Sequence, residues 1–409
     1  MGRQSCQVRQ KNINCFVYWQ KWLIFALKLC KKQEIRTMAK YRNKLTKIEI
    51  SGFKSISTDC PLTLHLGDIN LLLGANGAGK SNIVSFFRML GFMMSGSFQM
   101  YVAQSGTNQK FLHYGSKITP CINASIEFSD GKNTDTYRFC LTHAVPNRLI
   151  INSEEIEWQC SSRPNTYKNQ VVSNYNESGL IDSADRTCQI FRKFLSMCKV
   201  YQFSDSSISS PMRQASTVDS AHYLQSEANN LASFLYYLKN NFIESYNRIV
   251  DYVKTVMPQF GDFYLEPERG YITLKWRDNS PNDYVLSADQ FSDGSIRFIA
   301  LATLLLQPET TMPNVIVIDE PELGLHPYAI DQLTEMVRDA SLHSQIILAT
   351  QSASLIDGFD LDDITVVEQD EDKHCTIAQH LDNESFSEWL KNYSISELWN
   401  KNVFGGRPL

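Results

Sequence analysis

The chain has 409 residues, a length that permits about two or three domains, and its composition of 43% hydrophobic and 20% charged residues is that of an ordinary globular protein. Residues 1–47 hold twelve basic residues and one acidic residue, whereas residues 48–409 hold 27 basic and 43 acidic residues. The acidic body excludes bulk charge as a source of tight nucleic-acid binding, although a local basic patch formed by the fold could still supply it.

Cysteine usage and hydropathy indicate the compartment. Ten cysteines are scattered along the chain without a C-x-x-C pair or a Cys/His cluster of metal-binding spacing. This pattern is typical of reduced thiols and predicts a cytoplasmic protein. No segment reaches the roughly 18 uncharged apolar residues that a membrane-spanning helix needs, so no membrane partner is expected.

The N-terminal extension, residues 1–37, is basic and aromatic and includes an interrupted apolar segment at 13–30. Three interpretations compete: an amphipathic surface or membrane-interface helix, a poor signal-type segment, and an artefactual upstream start. We favour the third because Met38 opens a stretch that leads directly into the first predicted strand. The extension is then expected to be disordered or incidental.

From residue 45 to residue 158 the pattern predicts short strands separated by polar turns. A strand at 45–50 leads through a turn into a second strand that ends at residue 56. The other predicted elements of this part are strands 62–66 and 69–73, a helix at 83–90, and strands 122–128, 136–141 and 148–151. The last three strands alternate with turns and therefore indicate an antiparallel meander.

Beyond residue 158, helices and strands are predicted to alternate. A polar stretch to residue 220 contains a helix at 190–198 and a loop at 204–216. Then follow one or two helices within 231–257, strands within 263–276, a helix from 289 to 306, a strand at 314–318, a helix at 328–340, a strand at 345–350, and a hairpin of 364–369 with 375–380.

Strands that alternate with helices predict an α/β core with a largely parallel sheet. The stretch at about 118–288 is then an inserted β/helical lobe of that core, and residues 381–409 form a short C-terminal tail. No sustained heptad repeat is found, which argues against a long coiled-coil arm.

A phosphate-binding loop follows the predicted strand 69–73. Its G-x-x-x-x-G-K-S spacing lets backbone N–H groups close on a phosphate, while its lysine reaches the β- and γ-phosphates and its serine hydroxyl ligates Mg²⁺. The alternative is a chance glycine-rich turn, but the strand before and the helix after are the context that the motif demands. The predicted nucleotide-binding residues are Gly74, Ala75, Asn76, Gly77, Ala78, Gly79, Lys80, Ser81 and Asn82.

Two adjacent acids end the apolar strand at 314–318. Asp319 can hold Mg²⁺, directly or through water, opposite Ser81, and Glu320 is placed to polarise a water for in-line attack on the γ-phosphate. Adjacent acids at a strand end also occur in solvated turns. The phosphate loop upstream favours the catalytic interpretation.

Between these motifs lies a small hydroxylated turn, residues 291–297, that opens a predicted helix. By itself it predicts only a helix N-cap, with Ser292 or Asp293 as the capping residue. The order of phosphate loop, Ser-x-Gly turn and Asp-Glu strand resembles the ABC-type ATPase heads of the SMC, RecF and OLD group. This resemblance implies that the turn, comprising Ser292, Asp293, Gly294 and Ser295, is a signature motif whose Ser292 and Gly294 touch the γ-phosphate bound to the other subunit.

The resemblance extends from about residue 45 to the C-terminus. Its further segments are the Gly-Phe-Lys-Ser opening at 50–55, the Asp-Glu strand with its D-loop at 319–327, residues 229–235, and the tail 398–408. It implies a P-loop NTPase of the ABC/SMC head type with an antiparallel β subdomain and an inserted helical lobe. It also implies ATP and Mg²⁺ as ligands, a homodimer or higher homo-oligomer, and Phe53 and Lys54 near the adenine.

Two departures from the family pattern concern hydrolysis. Thr350-Gln351-Ser352 stands where the family has Thr-His-Ser, and Gln351 can donate a hydrogen bond to the γ-phosphate but carries no positive charge. Slow hydrolysis is therefore expected. The Q-loop glutamine, a Mg²⁺ ligand in the family, is not marked by a local pattern, and Gln202 is the candidate, with an ordinary loop residue as the alternative.

The resemblance implies an ATP-hydrolysing switch in DNA repair, DNA maintenance or anti-phage defence, with DNA and a separate effector protein as candidate partners. One alternative is an ATP-gated scaffold that does not hydrolyse. Another is the nucleotide-binding subunit of an ABC transporter, against which the Gly-Phe-Lys-Ser opening, the large insert and the RecF-like tail argue. The acids at 368–372 resemble a Toprim nuclease cluster, but too few residues follow for that domain, so we interpret them as a solvated hairpin turn.

Overall fold

Two six-stranded sheets dominate the part of the chain that this computed structural model describes, residues 43–161, 166–282 and 284–406. The N-terminal extension lies outside the described residues. Small sheets of three and two strands accompany the large ones. No helix among the described residues is long and apolar enough to cross a bilayer.

The core sheet has the strand order β17-β16-β3-β15-β14-β8 and is parallel except for β17, which pairs antiparallel with β16. This confirms the prediction of a largely parallel sheet. Its strands are β3 (Ile69–Leu73), β8 (Cys198–Tyr201), β14 (Val315–Asp319), β15 (Gln345–Thr350), β16 (Ile364–Asp370) and β17 (Cys375–His380).

Strand β8 was not predicted. The sequence pattern predicts one helix over residues 190–198, but the helix ends at Ser196 and Cys198 begins the edge strand beside β14. A four-residue strand, Cys-Lys-Val-Tyr, is too short to show a periodicity of its own after a helix, so only its pairing with β14 reveals it. This part of the stretch expected as an inserted lobe therefore belongs to the core sheet.

The second sheet is antiparallel, in the order β2-β1-β4-β5-β6-β7, and includes the predicted meander. The second strand predicted to end at residue 56 does not form, because Lys54 turns the chain in the left-handed region at φ 51°. The strands of this sheet are β1 (Lys44–Ser51), β2 (Leu62–His65), β4 (Cys121–Ser129), β5 (Asn133–Ala144), β6 (Arg148–Cys160) and β7 (Tyr167–Gln170).

Helices cover both faces of the core sheet. They are α1 (Lys80–Met94), α2 (Phe98–Gln104), α3 (Arg186–Ser196), α4 (Leu231–Asn241), α5 (Ile243–Val256), α6 (Asp293–Leu305), α7 (Pro327–Ala340), α8 (Ala353–Ile356), α9 (Ser387–Leu390) and α10 (Ile395–Asn400). The short strands are β9 (Ser216–Thr217), β10 (Phe260–Tyr264), β11 (Tyr271–Ile272), β12 (Lys275–Asp278) and β13 (Val285–Ser287).

Alternation along the core strands divides the apolar residues into two cores. In β14, Ile316 and Ile318 join the core that contains α4 to α7, whereas Val315 and Val317 join the core that contains α1 and the antiparallel sheet. Successive side chains of a strand point to opposite faces, so a continuous apolar run buries both faces of a sheet. The carboxyl ends of these strands remain available for polar groups.

Candidate functional site

Four neighbouring parallel strands end at one edge of the core sheet. The register aligns Leu73 with Thr350, Ala349 with Asp319, and Ile318 with Tyr201. Since the carboxyl ends of parallel strands meet at the same edge, four predicted segments come together there: the phosphate loop after β3, Gln351 after β15, the acid pair at the end of β14, and Gln202 after β8.

Glycines in the phosphate loop are required by close packing. A Cβ on Gly74 would lie 2.2 Å from the Val367 carbonyl oxygen, and one on Gly79 would lie 2.2 Å from Oγ1 of Thr376. Gly79, at φ 110°, also occupies the left-handed region that other residues avoid. The loop is thus pressed against β16 and β17, a contact that the spacing motif does not predict.

Lys80 is buried within the loop. Its Nζ donates hydrogen bonds to the carbonyl oxygens of Gly74 at 2.7 Å and Ala75 at 2.9 Å. Burial lowers the pKa of Lys80, and the negative charges of Glu320, Asp319 and Glu322 counteract that shift. The lysine is therefore a positioned cation facing a group of carboxylates.

Asp319 is the last residue of β14, and its Oδ1 is buried without a hydrogen-bond partner among the described residues. The pKa of Asp319 is raised, first by burial and then by the negative charge of Glu320. Lys80, Arg88 and the Ser81 hydroxyl offset part of this rise. An unpaired carboxylate oxygen beside a serine hydroxyl is the kind of oxygen-rich site that Mg²⁺ prefers. These residues fit the expected ion.

Glu320 lies in the left-handed region at φ 48°, and its N–H donates to the Ala349 carbonyl at 2.8 Å. Such a conformation persists in a non-glycine residue only where the surrounding structure holds it. The hydrogen bond to β15 provides that support at the sheet edge.

Glu322 is a site residue that the sequence analysis missed. Its Oε1 accepts a hydrogen bond from Oγ1 of Thr350 at 2.6 Å, and its carboxylate also accepts from the N–H of Gln351. Burial raises the pKa of Glu322, and its Oε2 is buried without a partner among the described residues. The Glu-Pro-Glu spacing was visible in sequence, but the contact with Gln351 depends on the pairing of β14 with β15.

Gln202 follows β8 at the same edge. Its Oε1 accepts a hydrogen bond from Nη2 of Arg88, a residue of α1, at 2.9 Å. No local sequence pattern marks Arg88 as a partner of this glutamine. The amide oxygen of Gln202 is directed towards this guanidinium.

The Ser-x-Gly turn forms the N-terminus of α6. Ser292 is the N-cap, and its Oγ accepts from the Ser295 N–H at 3.1 Å. A Cβ on Gly294 would lie 2.4 Å from the Gly324 carbonyl, so the turn packs on the segment that follows Glu320. Among the described residues, no hydrogen bond links 292–295 to 74–82 of the same chain.

Two arginines that sequence reasoning missed fasten this turn. Arg297 donates to the carbonyls of Phe203 and Leu323, both at 2.9 Å, and to that of Ser204. Arg213 is buried, and its guanidinium donates hydrogen bonds to the carbonyls of Ser206, Ala288 and Phe291 and to the Asp293 carboxylate. Together they tie the segment after Gln202 to the turn.

The expectation for Phe53 needs correction. Its ring is fully buried against Phe86 and Phe111, with centroids 5.8 and 6.3 Å away, so it has no surface for a nucleotide base. Lys54 is half-buried and donates to Ser85 Oγ at 2.6 Å, and burial, reinforced by Arg88, lowers its pKa. A cleft of about 840 Å³ beside α1 has Lys54, Ser55, Asn82, His113, Tyr114 and His374 among its lining residues.

A family model described as "AAA domain, putative AbiEii toxin, Type IV TA system" matches residues 69–357. No curated protein matches the chain.

Solved structures show the fold. The Smc head bound to the C-winged helix domain of ScpA is 16% identical, covers 83% of this chain and 99% of its own, and has a TM-score of 0.57. The Smc head domain with an extended coiled coil bound to the C-terminal domain of ScpA, derived from Pyrococcus furiosus, is 15% identical, with coverages of 86% and 99% and a TM-score of 0.54. The predicted fold class, a P-loop NTPase head of SMC type, is confirmed.

Proposed function

Since the chain belongs to the AbiEii-type AAA family, whose model spans residues 69–357, and has the fold of an SMC head, we propose that it binds ATP with Mg²⁺, dimerises around the nucleotide and hydrolyses it. The observation that carries this proposal is the convergence of Lys80, Asp319 and Glu320 at one edge of the core sheet. This arrangement supplies a cation for the phosphates, one carboxylate for Mg²⁺ and a second carboxylate for the attacking water.

Each residue has a role in the proposed reaction. Lys80 and the N–H groups of the phosphate loop hold the β- and γ-phosphates, and Ser81 and Asp319 hold Mg²⁺, which neutralises phosphate charge when bound. Glu320 accepts a proton from the attacking water. Gln351 donates a hydrogen bond to the γ-phosphate, and Gln202 is proposed to join the ion at the end of β8.

The nucleotide base is proposed to occupy the cleft beside α1, in place of contact with Phe53. Lys54 and Asn82 line this cleft next to the phosphate loop, and Tyr114 is exposed there. An aromatic side chain next to backbone and amide groups suits a purine.

The signature turn is proposed to act in trans. Ser292 and Asp293 are exposed at the N-terminus of a 13-residue helix, where N–H groups and the helix dipole favour an anion. The partner subunit's Ser292 and Gly294 would then close on the γ-phosphate. ATP favours the closed dimer because only the triphosphate contacts both subunits, and hydrolysis releases it.

The test is Glu320→Gln, with Glu335→Gln on the exposed face of α7 as the matched control. Loss of the general base is expected to lower ATP turnover by about 100-fold or more while leaving an ATP-dependent dimer that persists in sedimentation. Turnover within about twofold of the wild type, or no ATP-dependent dimer in either protein, contradicts the proposal.

A second candidate is an ATP-gated scaffold that assembles without hydrolysis, and the uncharged Gln351 favours it. ATP-dependent dimerisation of the wild type without turnover, measured with DNA and any partner protein present, would select this candidate.

The proposed cellular role is a cytoplasmic switch in defence, DNA repair or DNA maintenance. The toxin-type description of the family supports defence, and the ScpA-bound Smc heads support a separate protein partner, with DNA as a further candidate ligand.

A further inference from the structure

The segment from α10 to Gly406 packs against the phosphate loop. Leu398, Trp399 and Phe404 are buried, and the Phe404 ring meets that of Phe386 edge-on with centroids 4.9 Å apart. The Val403 N–H donates to the Leu398 carbonyl at 3.0 Å, which turns the chain back after α10. This segment, residues 395–406, is anchored in the same apolar core that contains α4 to α7 before it reaches the loop.

Gly406 makes two hydrogen bonds where the segment meets the site. Its N–H donates to Oε2 of Glu368 at 2.7 Å, and its carbonyl accepts from the Ala75 N–H at 3.2 Å. Glu368 lies in β16, within the acids at 368–372 that the sequence analysis interpreted as a solvated turn. This carboxylate is instead half-buried and bonded to the segment, which corrects that interpretation for Glu368.

The close approach depends on two consecutive glycines. Gly405 and Gly406 both have φ near 77°, and a Cβ on Gly406 would lie 2.6 Å from Cγ1 of Val366 and 3.3 Å from the Trp399 ring. Any other residue would be strained and would push the segment away from β16.

The contact between Gly406 and Ala75 extends to Lys80, the cation that is proposed to bind the phosphates. Ala75 donates its N–H to Gly406, and the carbonyl of the same residue accepts from Nζ of Lys80 at 2.9 Å. A continuous chain of hydrogen bonds therefore runs from Glu368 through Gly406 and Ala75 to Lys80.

We propose that Glu368 and Gly406 are positioning residues for the nucleotide, and that residues 395–406 form a latch that holds the phosphate loop in its binding conformation. The proposal rests on the proposed nucleotide site. Without the latch, the first peptide of the loop loses its anchor, and phosphate binding must also order the loop.

Binding of MgADP by calorimetry tests the latch, with Glu368→Ala and Gly406→Ala as the disrupting variants. Each is expected to weaken binding by about tenfold. Glu368→Ala loses a charge-assisted hydrogen bond, and Gly406→Ala loses a turn that only glycine adopts without strain. Glu368→Gln is expected to stay within about twofold, since its amide oxygen still accepts from Gly406, and Glu371→Ala, in the same hairpin turn, serves as the exposed control. In ATP turnover, the disrupting variants should raise KM more than they lower kcat.

A second readout does not need nucleotide. In the free protein, hydrogen exchange at the Ala75 amide should be slow in the wild type and at least about tenfold faster in Glu368→Ala. Equal exchange in the two proteins, or MgADP binding within about twofold in both folded disrupting variants, overturns the latch. Absence of MgADP binding by the wild type overturns the proposed function instead, and the exchange measurement still decides on the contact.

Discussion

At the scale of single residues, Thr350 links the strand end of β15 to Glu322. Its side chain is fully buried, donates to Oε1 of Glu322 at 2.6 Å and accepts from the Ser352 N–H at 3.0 Å. Both neighbours of Gln351 are thereby held in place. Glu322 thus positions Gln351 through its contacts with Thr350 and the Gln351 N–H.

Replacing Thr350 by valine keeps its shape and removes its hydroxyl. We expect Thr350→Val to lower the free energy of unfolding by about 1–3 kcal/mol, because a buried carboxylate oxygen loses its donor, and to reduce ATP turnover as Gln351 loses its support. Thr350→Ser retains the hydroxyl and serves as the matched control in urea unfolding and turnover assays. A loss in Thr350→Ser without a loss in Thr350→Val would show that the methyl group, and not the hydrogen bond, matters.

Several residues of the proposed site could be found from sequence because they lie in short motifs. Lys80 and Asp319 are each identified by their immediate neighbours along the chain. Glu322, Arg88 and Arg213 could not be found in this way, since their partners are 28, 114 and up to 80 residues away. The motif that contains Phe53 does not reveal whether its ring faces solvent or core, and the ring is fully buried.

At the scale of elements, the turn that opens α6 depends on Arg213. This buried guanidinium donates to backbone carbonyls at Ala288 and Phe291 and to the exposed Asp293. It therefore joins the loop at 204–216 to the signature turn. The turn is shaped by a side chain from a different part of the chain.

Arg213→Met fills the space and removes the donors. We expect unfolding in urea to require about 3 kcal/mol less free energy, because buried carbonyls are left unpaired, and ATP-dependent dimerisation to weaken at least about tenfold. Arg186→Met, at the exposed start of α3, is the control. Dimerisation at wild-type strength in folded Arg213→Met would contradict this role.

The turn before β16 carries a pH-sensitive carboxyl. Burial raises the pKa of Asp363 to about 6 from an ordinary value of 3.8, against the opposing hydrogen bond from the Asp360 N–H. Because the folded protein binds this proton more tightly, the contribution of Asp363 to stability falls as pH rises between these two values.

Asp363→Asn removes the buried charge. We expect this variant to be more stable than the wild type by about 1 kcal/mol at pH 8, a value reduced by solvent screening, and to lose the advantage below about pH 4. Urea unfolding across this range measures the difference. An advantage that does not change with pH would assign the effect to packing.

At the scale of the whole molecule, the proposed site is divided between two subunits. The phosphate loop and the acid pair lie at one edge of the core sheet. Among the residues that the structure describes, Ser292 makes no hydrogen bond to that loop within its own chain. Such a division allows complementation between two inactive proteins.

A mixture of Lys80→Ala and Ser292→Arg subunits tests the division. Each variant alone should lack turnover, because every site in its homodimer is damaged. In an equal mixture, half the dimers should be mixed and each should hold one intact site, so about a quarter of wild-type turnover is expected. A mixture as inactive as its components would argue for sites contained within one chain.

The sequence by itself determined the local elements and the short motifs. The phosphate loop, the acid pair, the hairpin and the parallel core follow from periodicity and from residues that are neighbours along the chain, and most strand positions were predicted within a few residues. Local chemistry is sufficient for these features because their hydrogen bonds and apolar faces are set by nearby residues.

Only the tertiary structure decided which distant groups meet. Strand β8 became visible through its pairing with β14, and the contacts of Glu322, Arg213 and Gly406 join segments far apart in sequence. Such contacts depend on strand register and on how close two backbones can approach, which no local pattern encodes. The phosphate loop was therefore predictable, and the contacts that hold it in place were not.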